Sequence, residues 1–324
     1  MSALNTSIKN QRKLSKEALQ EICVLGLLVA LCIYFSFASP YFHSINNYLN
    51  MLRQMTVSAV IACGMNFILL VGGIDLSVGS VVAVAGVVAA EISILTKDMF
   101  LTILAVLLTG VLIGFINGTL IVKFRIPPFI VTLAMMSILR GGVMVYTNSN
   151  TYFGLMPRLM AVGQGYIGII PIPVIIMVVI FIISIFILSK TRFGLHVYAV
   201  GGNEEVSRLS GINTKAIMVC VYIICGTLAA LAGLITTART AAATPTAGQG
   251  YELDAITAVV LGGTNMNGGS GSLAGTLAGV AVLTVLTNGL TMLNINVYWV
   301  QIIKGIILLV AIIVSVKAAT HERK

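Results

Sequence analysis

The chain of 324 residues has little charge: 9% of its residues are Asp, Glu, Lys or Arg, and only ten are acidic. Set against 58% hydrophobic residues and a mean hydropathy of +1.04, that scarcity excludes a soluble globular domain. Histidine is scarcer still. His43, His196 and His321 stand far apart, without HExxH spacing or carboxylate partners, and each reads as an interfacial residue. A proton-coupled carrier usually needs an acidic relay inside its bundle, yet Glu91 lies near a helix end beside Lys97 and Asp98, and Glu252 and Asp254 open a helix. The five cysteines, Cys23, Cys32, Cys63, Cys220 and Cys225, fall in apolar runs without metal-type spacing and read as small core residues. A phosphate loop is nearly present but lacks its lysine. Gly263, Gly268 and Ser270 fit G-x-x-x-x-G-K-[ST], whereas Gly269 occupies the lysine position and no strand context exists. The chain is therefore expected to bind no cofactor or metal and to hold no catalytic residue. Any ATP that drives it belongs to another subunit.

What is abundant is apolar length. Runs able to cross a roughly 30 Å hydrocarbon core, about 20 residues each, recur from Ile22 to the C-terminus. The pattern predicts helices near 20–39, 49–71, 76–96, 100–122, 128–147, 172–189, 215–237, 252–264, 271–292 and 298–316. The fold class is all-α, a polytopic transmembrane bundle of eight to ten spans, with 252–264 short enough to be a half-helix or re-entrant segment. The first run, Ile22 to Ala38, is either a first span or a signal peptide cut near Ser36-Phe37-Ala38, and the 21-residue leader favours the span.

The net charge of +9 does not form one basic stripe, as nucleic-acid binding would require. Lys9, Arg12, Lys13 and Lys16 precede the first run, and Lys123 and Arg125 separate two others. Lys190, Arg192, Arg208 and Lys215 occupy the largest charged loop, and Lys317, Arg323 and Lys324 close the chain. The positive-inside rule assigns all four segments, and both termini, to the cytoplasm. The chain then divides into a cytoplasmic tail 1–19, one membrane domain 20–317 with a cytoplasmic loop at about 190–215, and a tail 318–324. The stretch from Asn148 to Ile170 is external, and Pro171 and Pro173 mark the next helix start.

Two glycine-rich stretches interrupt the pattern, VGGIDLSVGS at 71–80 and GGTNMNGGSGS at 262–272. In hydrocarbon the amides freed by a break must be met by protein or by a water-filled cavity, so neither stretch can face lipid. Gly72 and Gly73 permit the left-handed conformations that end a helix, and Asp75 and Ser77 are residue types that cap the next one. Gly72, Gly73, Gly262 and Gly263 are expected to be hinge positions intolerant of bulk, through close backbone approach or positive φ. The sequence around Gly72, LLVGGIDLSVGSVVAVAG, echoes VVLGGTNMNGGSGSLAGTLAG around Gly262. Such an echo is either a transporter's internal repeat, with interrupted helices near the pathway, or a chance likeness of Gly/Val/Ala-rich segments.

Polar residues inside the spans are few: Asn66, Asn117, Arg140, Asn288, Gln301 and Lys304. They serve as interhelical ties, or snorkel, or line a mostly neutral path suited to sugars or other neutral solutes. Asn66, Asp75, Asn117 and Asn288 are the pathway candidates. In the charged loop, Asn203 is a good N-cap, and Glu204 to Ser210, including Glu205 and Arg208, can form a short helix that Gly211 ends. That helix is either a rigid docking unit between glycine hinges at Gly201, Gly202 and Gly211 or a solvated loop of topogenic charge.

GGIDLSVGS, TRFGLHVYAVGGNEEVSRLSGIN at 191–213 and PTAGQGYELDAITAVVLGGTNMNGGSGS at 245–272 together resemble the permeases of bacterial ribose-type ABC importers, and the resemblance runs from Asn46 to the last helix. It implies ATP-driven uptake of a monosaccharide, with ribose favoured, across the bacterial inner membrane. The implied partners are a second permease subunit, identical or related, a periplasmic or lipid-anchored sugar-binding protein, and membrane lipid. Two ATPase subunits, or one fused double ATPase, would carry ATP and magnesium. The resemblance also assigns Asn203, Glu204, Glu205, Arg208 and Gly211 to the ATPase contact. A secondary carrier for a neutral solute, and a polytopic membrane enzyme, are the other readings.

Overall fold

The computed structural model describes residues 16–321, and the side chains of 22–313. Of the expected terminal tails, residues 1–15 and 322–324 lie outside that range, while 16–19 and 318–321 continue α1 and α13. Among the described residues, thirteen helices and one two-residue hairpin make up the regular structure. The long helices are α1 (Lys16–Ala38), α2 (Ile45–Leu70), α3 (Val78–Thr96), α4 (Met99–Phe124) and α5 (Pro128–Thr147). After the short α6 (Pro157–Gln164) and the strands β1 (Tyr166–Ile167) and β2 (Ile170–Pro171) comes α7 (Ile172–Lys190). Then follow α8 (Arg192–Gly202), α9 (Glu204–Leu209), α10 (Thr214–Thr240), α11 (Tyr251–Leu261), α12 (Leu273–Met292) and α13 (Val297–His321). Seven of these are long and apolar enough to span a membrane, and α1 and α13 contain the shorter apolar stretches Ile22–Ala38 and Val297–Ile313. The protein is an all-α polytopic membrane bundle.

The bundle is organised around α10, which packs along α4, α3 and α2. Without a hydrophobic drive between helices in lipid, association relies on close backbone approach at small residues. Gly110, Gly114 and Gly118 form such a stripe at fourfold spacing on α4. A β-carbon at Gly110 would sit 2.5 Å from the Gly226 carbonyl oxygen, and one at Gly118 2.8 Å from Val219 Cα. Gly233 of α10 lies equally close to the Val82 backbone of α3.

Two features differ from a simple sequence of spans. Residues 241–250, expected only as a link, turn back from the end of α10 toward the start of α3. Arg140 of α5 straps them down, its Nη1 donating to the carbonyls of Pro245 (2.6 Å) and Ala247 (2.9 Å) while Nη2 donates to Gly79 (3.2 Å). Carbonyl dipoles thus solvate a cation that would otherwise be costly within the bundle. The eleven-residue α11 that follows is about 16 Å long at 1.5 Å per residue, half a crossing, and forms a hairpin with α12. The stretch expected as a plain external loop instead carries α6 and the β1–β2 hairpin, which is pinned to α2 by Arg53 stacking 4.6 Å from the Tyr166 ring centroid.

Candidate functional site

Both glycine-rich breaks begin with the same local device. At the end of α2 the Gly72 amide donates to Leu69 O (2.9 Å) and the Gly73 amide to Ile68 O (2.9 Å), with Gly72 at φ +74°. At the end of α11 the Gly263 amide donates to Val260 O (3.0 Å) and the Thr264 amide to Val259 O (3.2 Å), with Gly263 at φ +96°. These are Schellman caps, in which a left-handed residue lets the last carbonyls be satisfied. The partner glycine of each pair is demanded by space instead. A β-carbon on Gly73 would lie 2.8 Å from the Tyr222 hydroxyl, and one on Gly262 would run into the Gly275 carbonyl of α12.

The side chains of Asp75 and Ser77 do not cap α3 as the sequence suggested. Asp75 Oδ1 accepts from the Ser77 amide (2.8 Å) and the Ser77 hydroxyl (2.6 Å), closing a turn one step before the helix, and Ser77, though it stands at the N-cap position, makes no side-chain cap bond to α3. The Ser77 hydroxyl in turn accepts from Asn117 Nδ2 of α4 (3.0 Å). Asp75, Ser77 and Asn117 are all fully buried, so this chain of bonds ties the first break to α4. Asn66 acts likewise on the second break. Its Nδ2 donates to Thr264 Oγ1 and Thr276 Oγ1, both at 2.8 Å, clasping the two ends of the 262–272 loop to α2.

The two breaks meet. The Gly269 amide donates to Leu70 O at 2.9 Å, and a β-carbon on Gly72 would lie 3.2 Å from Asn267 O. Against this junction rests the last turn of α8: a β-carbon on Gly201 would collide with the Leu70 carbonyl oxygen and sit 2.6 Å from the Gly269 nitrogen. Gly201 and Gly202 are therefore helical, not hinge residues between elements. The next helix, α9, is capped as the sequence proposed, by Asn203 Oδ1 accepting from the Val206 amide (3.0 Å), and Gly211 at φ +85° follows its end. Glu205 pairs with Arg208 at 2.9 Å on the open surface, and Glu204 Oε1 accepts from the Thr214 hydroxyl (3.3 Å) at the start of α10. A groove of about 1080 Å³ runs along this face, lined by Gly72, Asn203, Glu204, Glu205, Arg208 and Lys215 among others. Chemically it is an open, charged, polar cleft with a short rigid helix on its rim. It suits contact with another protein surface more than capture of a small solute.

Residues 47–312 match the family described as "Branched-chain amino acid transport system / permease component". The chain belongs to this permease family. It is 44% identical over 319 residues, 96% of this chain and 98% of the relative, to the ribose import permease protein of Escherichia coli (strain K12). It is 46% identical over 290 residues (88% and 90%) to that of Haemophilus influenzae, and 44% identical over 295 residues (90% and 91%) to that of Bacillus subtilis (strain 168). No solved structure matches the chain. The permease is thus a membrane-embedded transport subunit and not an enzyme.

Within the permease, the residues singled out from sequence fall into two places. Asn66, Asp75, Asn117, the four break glycines and the α8–α9 segment converge on one end of the bundle. Asn288 stands apart, in a reciprocal amide pair with Asn47 of α2 (2.9 and 3.1 Å). Sequence reasoning did not find Arg140 as the strap on 241–250, nor Thr264 and Thr276 as partners of Asn66. Their only sequence signal is polarity in apolar surroundings.

Proposed function

We propose that this permease is the membrane-spanning subunit of an ATP-driven importer that passes a monosaccharide, ribose first, from a sugar-binding protein to the cytoplasm. The observation that carries this reading is the seating of Gly201 of α8 on the joint between the two breaks. A stroke delivered to the α8–α9 segment reaches both interrupted hairpins without an intermediary. Likeness to ribose import permeases over nearly the whole chain supplies the substrate class. In this reading Asn203, Glu204, Glu205, Arg208 and Gly211 dock the ATPase, the α8–α9 face and both termini are cytoplasmic, and ATP and magnesium stay on the partner. A second copy of the permease completes the path, and Asn66, Asp75, Asn117 and Asn288 line it in another conformation. The test is uptake of labelled ribose into proteoliposomes holding the permease, its ATPase and its binding protein. Uptake should need ATP and the ATPase and should persist when the proton gradient is collapsed at constant ATP. Uptake without the ATPase, or lost with the gradient, would make the protein a secondary carrier.

A further inference from the structure

Away from the groove, a second pocket of about 170 Å³ lies between α2, α11, α12 and α13. That space holds several waters, the scale of one small solute. Its depth is notable. Ser58 lies near the middle of α2, Thr284 near the middle of α12, and Asp254 in the first turn of the half-helix α11. Solute sites at mid-membrane depth beside interrupted helices follow from the need to line a cavity with polar groups there.

The lining is mixed in sign and hydrogen-bonding role. Lys304 of α13 donates to Asp254 Oδ2 at 2.8 Å, and both side chains are about three-quarters buried, at 22% and 25% exposure. An ion pair held at this depth costs desolvation, and here it joins α11 to α13 on the pocket wall. The hydroxyls of Thr284 and Thr287 spend their protons on the carbonyls of Val280 and Leu283, both at 2.8 Å, leaving oxygen lone pairs to accept. Arg239, also on the wall, has its Nε buried and without a partner. Donors, acceptors and one unpartnered N–H of Arg239 therefore surround one small space. A neutral polyol satisfies such a wall, because each of its hydroxyls both donates and accepts.

We propose that this pocket is a solute subsite in which one monosaccharide is held during passage, its hydroxyls shared among Ser58, Thr284, Thr287 and the Asp254–Lys304 pair. The proposal rests on the reading of the chain as a sugar permease. It is tested with the full complex of permease, ATPase and binding protein in proteoliposomes, using labelled ribose. Thr284→Val and Thr287→Val keep shape and remove one acceptor each. Each should lower uptake at low ribose by about fivefold, since a net hydrogen bond is worth about 1 kcal/mol. Thr291→Val is the control. It lies on the same helix with the same type of bond, to Thr287 O at 2.7 Å, but outside the pocket. In a background without the native cysteines, Ser58→Cys should react with a water-soluble thiol reagent, more slowly when ribose is present. Thr284→Val and Thr287→Val variants that transport like Thr291→Val, or labelling at position 58 indifferent to ribose, would overturn the subsite while leaving the importer reading intact. Failure of the unaltered complex to take up ribose would instead overturn that reading.

Discussion

Gly201 offers a sharp test of how the α8–α9 segment is connected to the breaks. In the substitution Gly201→Ala the added β-carbon meets only backbone: the carbonyl oxygen of Leu70, its carbon at 2.9 Å, and the Gly269 nitrogen at 2.6 Å. No flexible side chain is present to yield. Overpacking of this kind costs about 1–3 kcal/mol, and losing the Gly269-to-Leu70 hydrogen bond adds about 1–3 kcal/mol because Leu70 is fully buried. Alanine returns at most about 1 kcal/mol of helix propensity, so the clash wins. Gly202→Ala is the matched comparison, since a β-carbon there meets nothing within 4 Å, and only the propensity gain remains. Thermal denaturation of the purified permease and ribose uptake per ATP hydrolysed in the full complex are the two readouts. Gly201→Ala should lower the melting temperature and uncouple hydrolysis from uptake, while Gly202→Ala should match or exceed the unaltered protein in stability. Equal behaviour of the two variants would refute the direct seating of α8 on the breaks.

Further outcomes follow from the same geometry. Asn66→Ala removes two hydrogen bonds, to Thr264 and Thr276, each worth about 0.6–2 kcal/mol in a membrane, and should destabilise the purified permease by about 1–4 kcal/mol, measured by thermal unfolding. The Glu205–Arg208 pair is 71% and 65% exposed and contributes about 0–1 kcal/mol; Glu205→Ala should therefore keep full stability but lose co-purification with the ATPase. Gly211→Arg, at φ +85° with open space around it, is strained by conformation rather than by contact and should uncouple ATP hydrolysis from uptake in membranes; normal coupling would leave the α8–α9 segment as topogenic charge. Cysteines at positions 66, 117 and 288, in a background without native cysteines, should react with water-soluble thiol reagents in at least one state of the ATP cycle, and lack of labelling in every state would remove these residues from the pathway.

The helices were legible because apolar length and punctuation are local. α5 spans residues 128–147 as expected, α11 is as short as its run, and Asn203 and Gly211 bracket α9. The breaks were legible for the same reason, but their register was not. The echo of the two stretches aligns Gly72 with Gly262, whereas the left-handed residues are Gly72 and Gly263. Two adjacent glycines offer two candidates for the cap, and the choice falls to whichever leaves the other free for a close approach: Gly73 against Tyr222, Gly262 against Gly275. α8 was missed because Gly201 and Gly202 read as hinges. Gly194 and Gly201 are there because backbone presses against them, the first against Leu188 and the second against Leu70.

The polar residues teach a different lesson. Asn66 with Thr264, Asn47 with Asn288 and Asp254 with Lys304 pair across 198, 241 and 50 residues, so no local pattern could join them. As single residues in apolar spans, Asn66, Asn288 and Lys304 suggested ties or a polar path, and in the structure each is bonded to a partner. Both descriptions hold if the path opens by exchange of partners. An interhelical hydrogen bond in a membrane is worth only about 0.6 kcal/mol on average, because the separated groups find other partners, and a sugar's hydroxyls are such partners. Ties made of amides and hydroxyls, such as Asn66 with Thr264 and Asn47 with Asn288, are therefore cheap to exchange for those of a polyol. A chain so poor in charge can in this way close its interior and still admit a neutral, hydrogen-bonding solute.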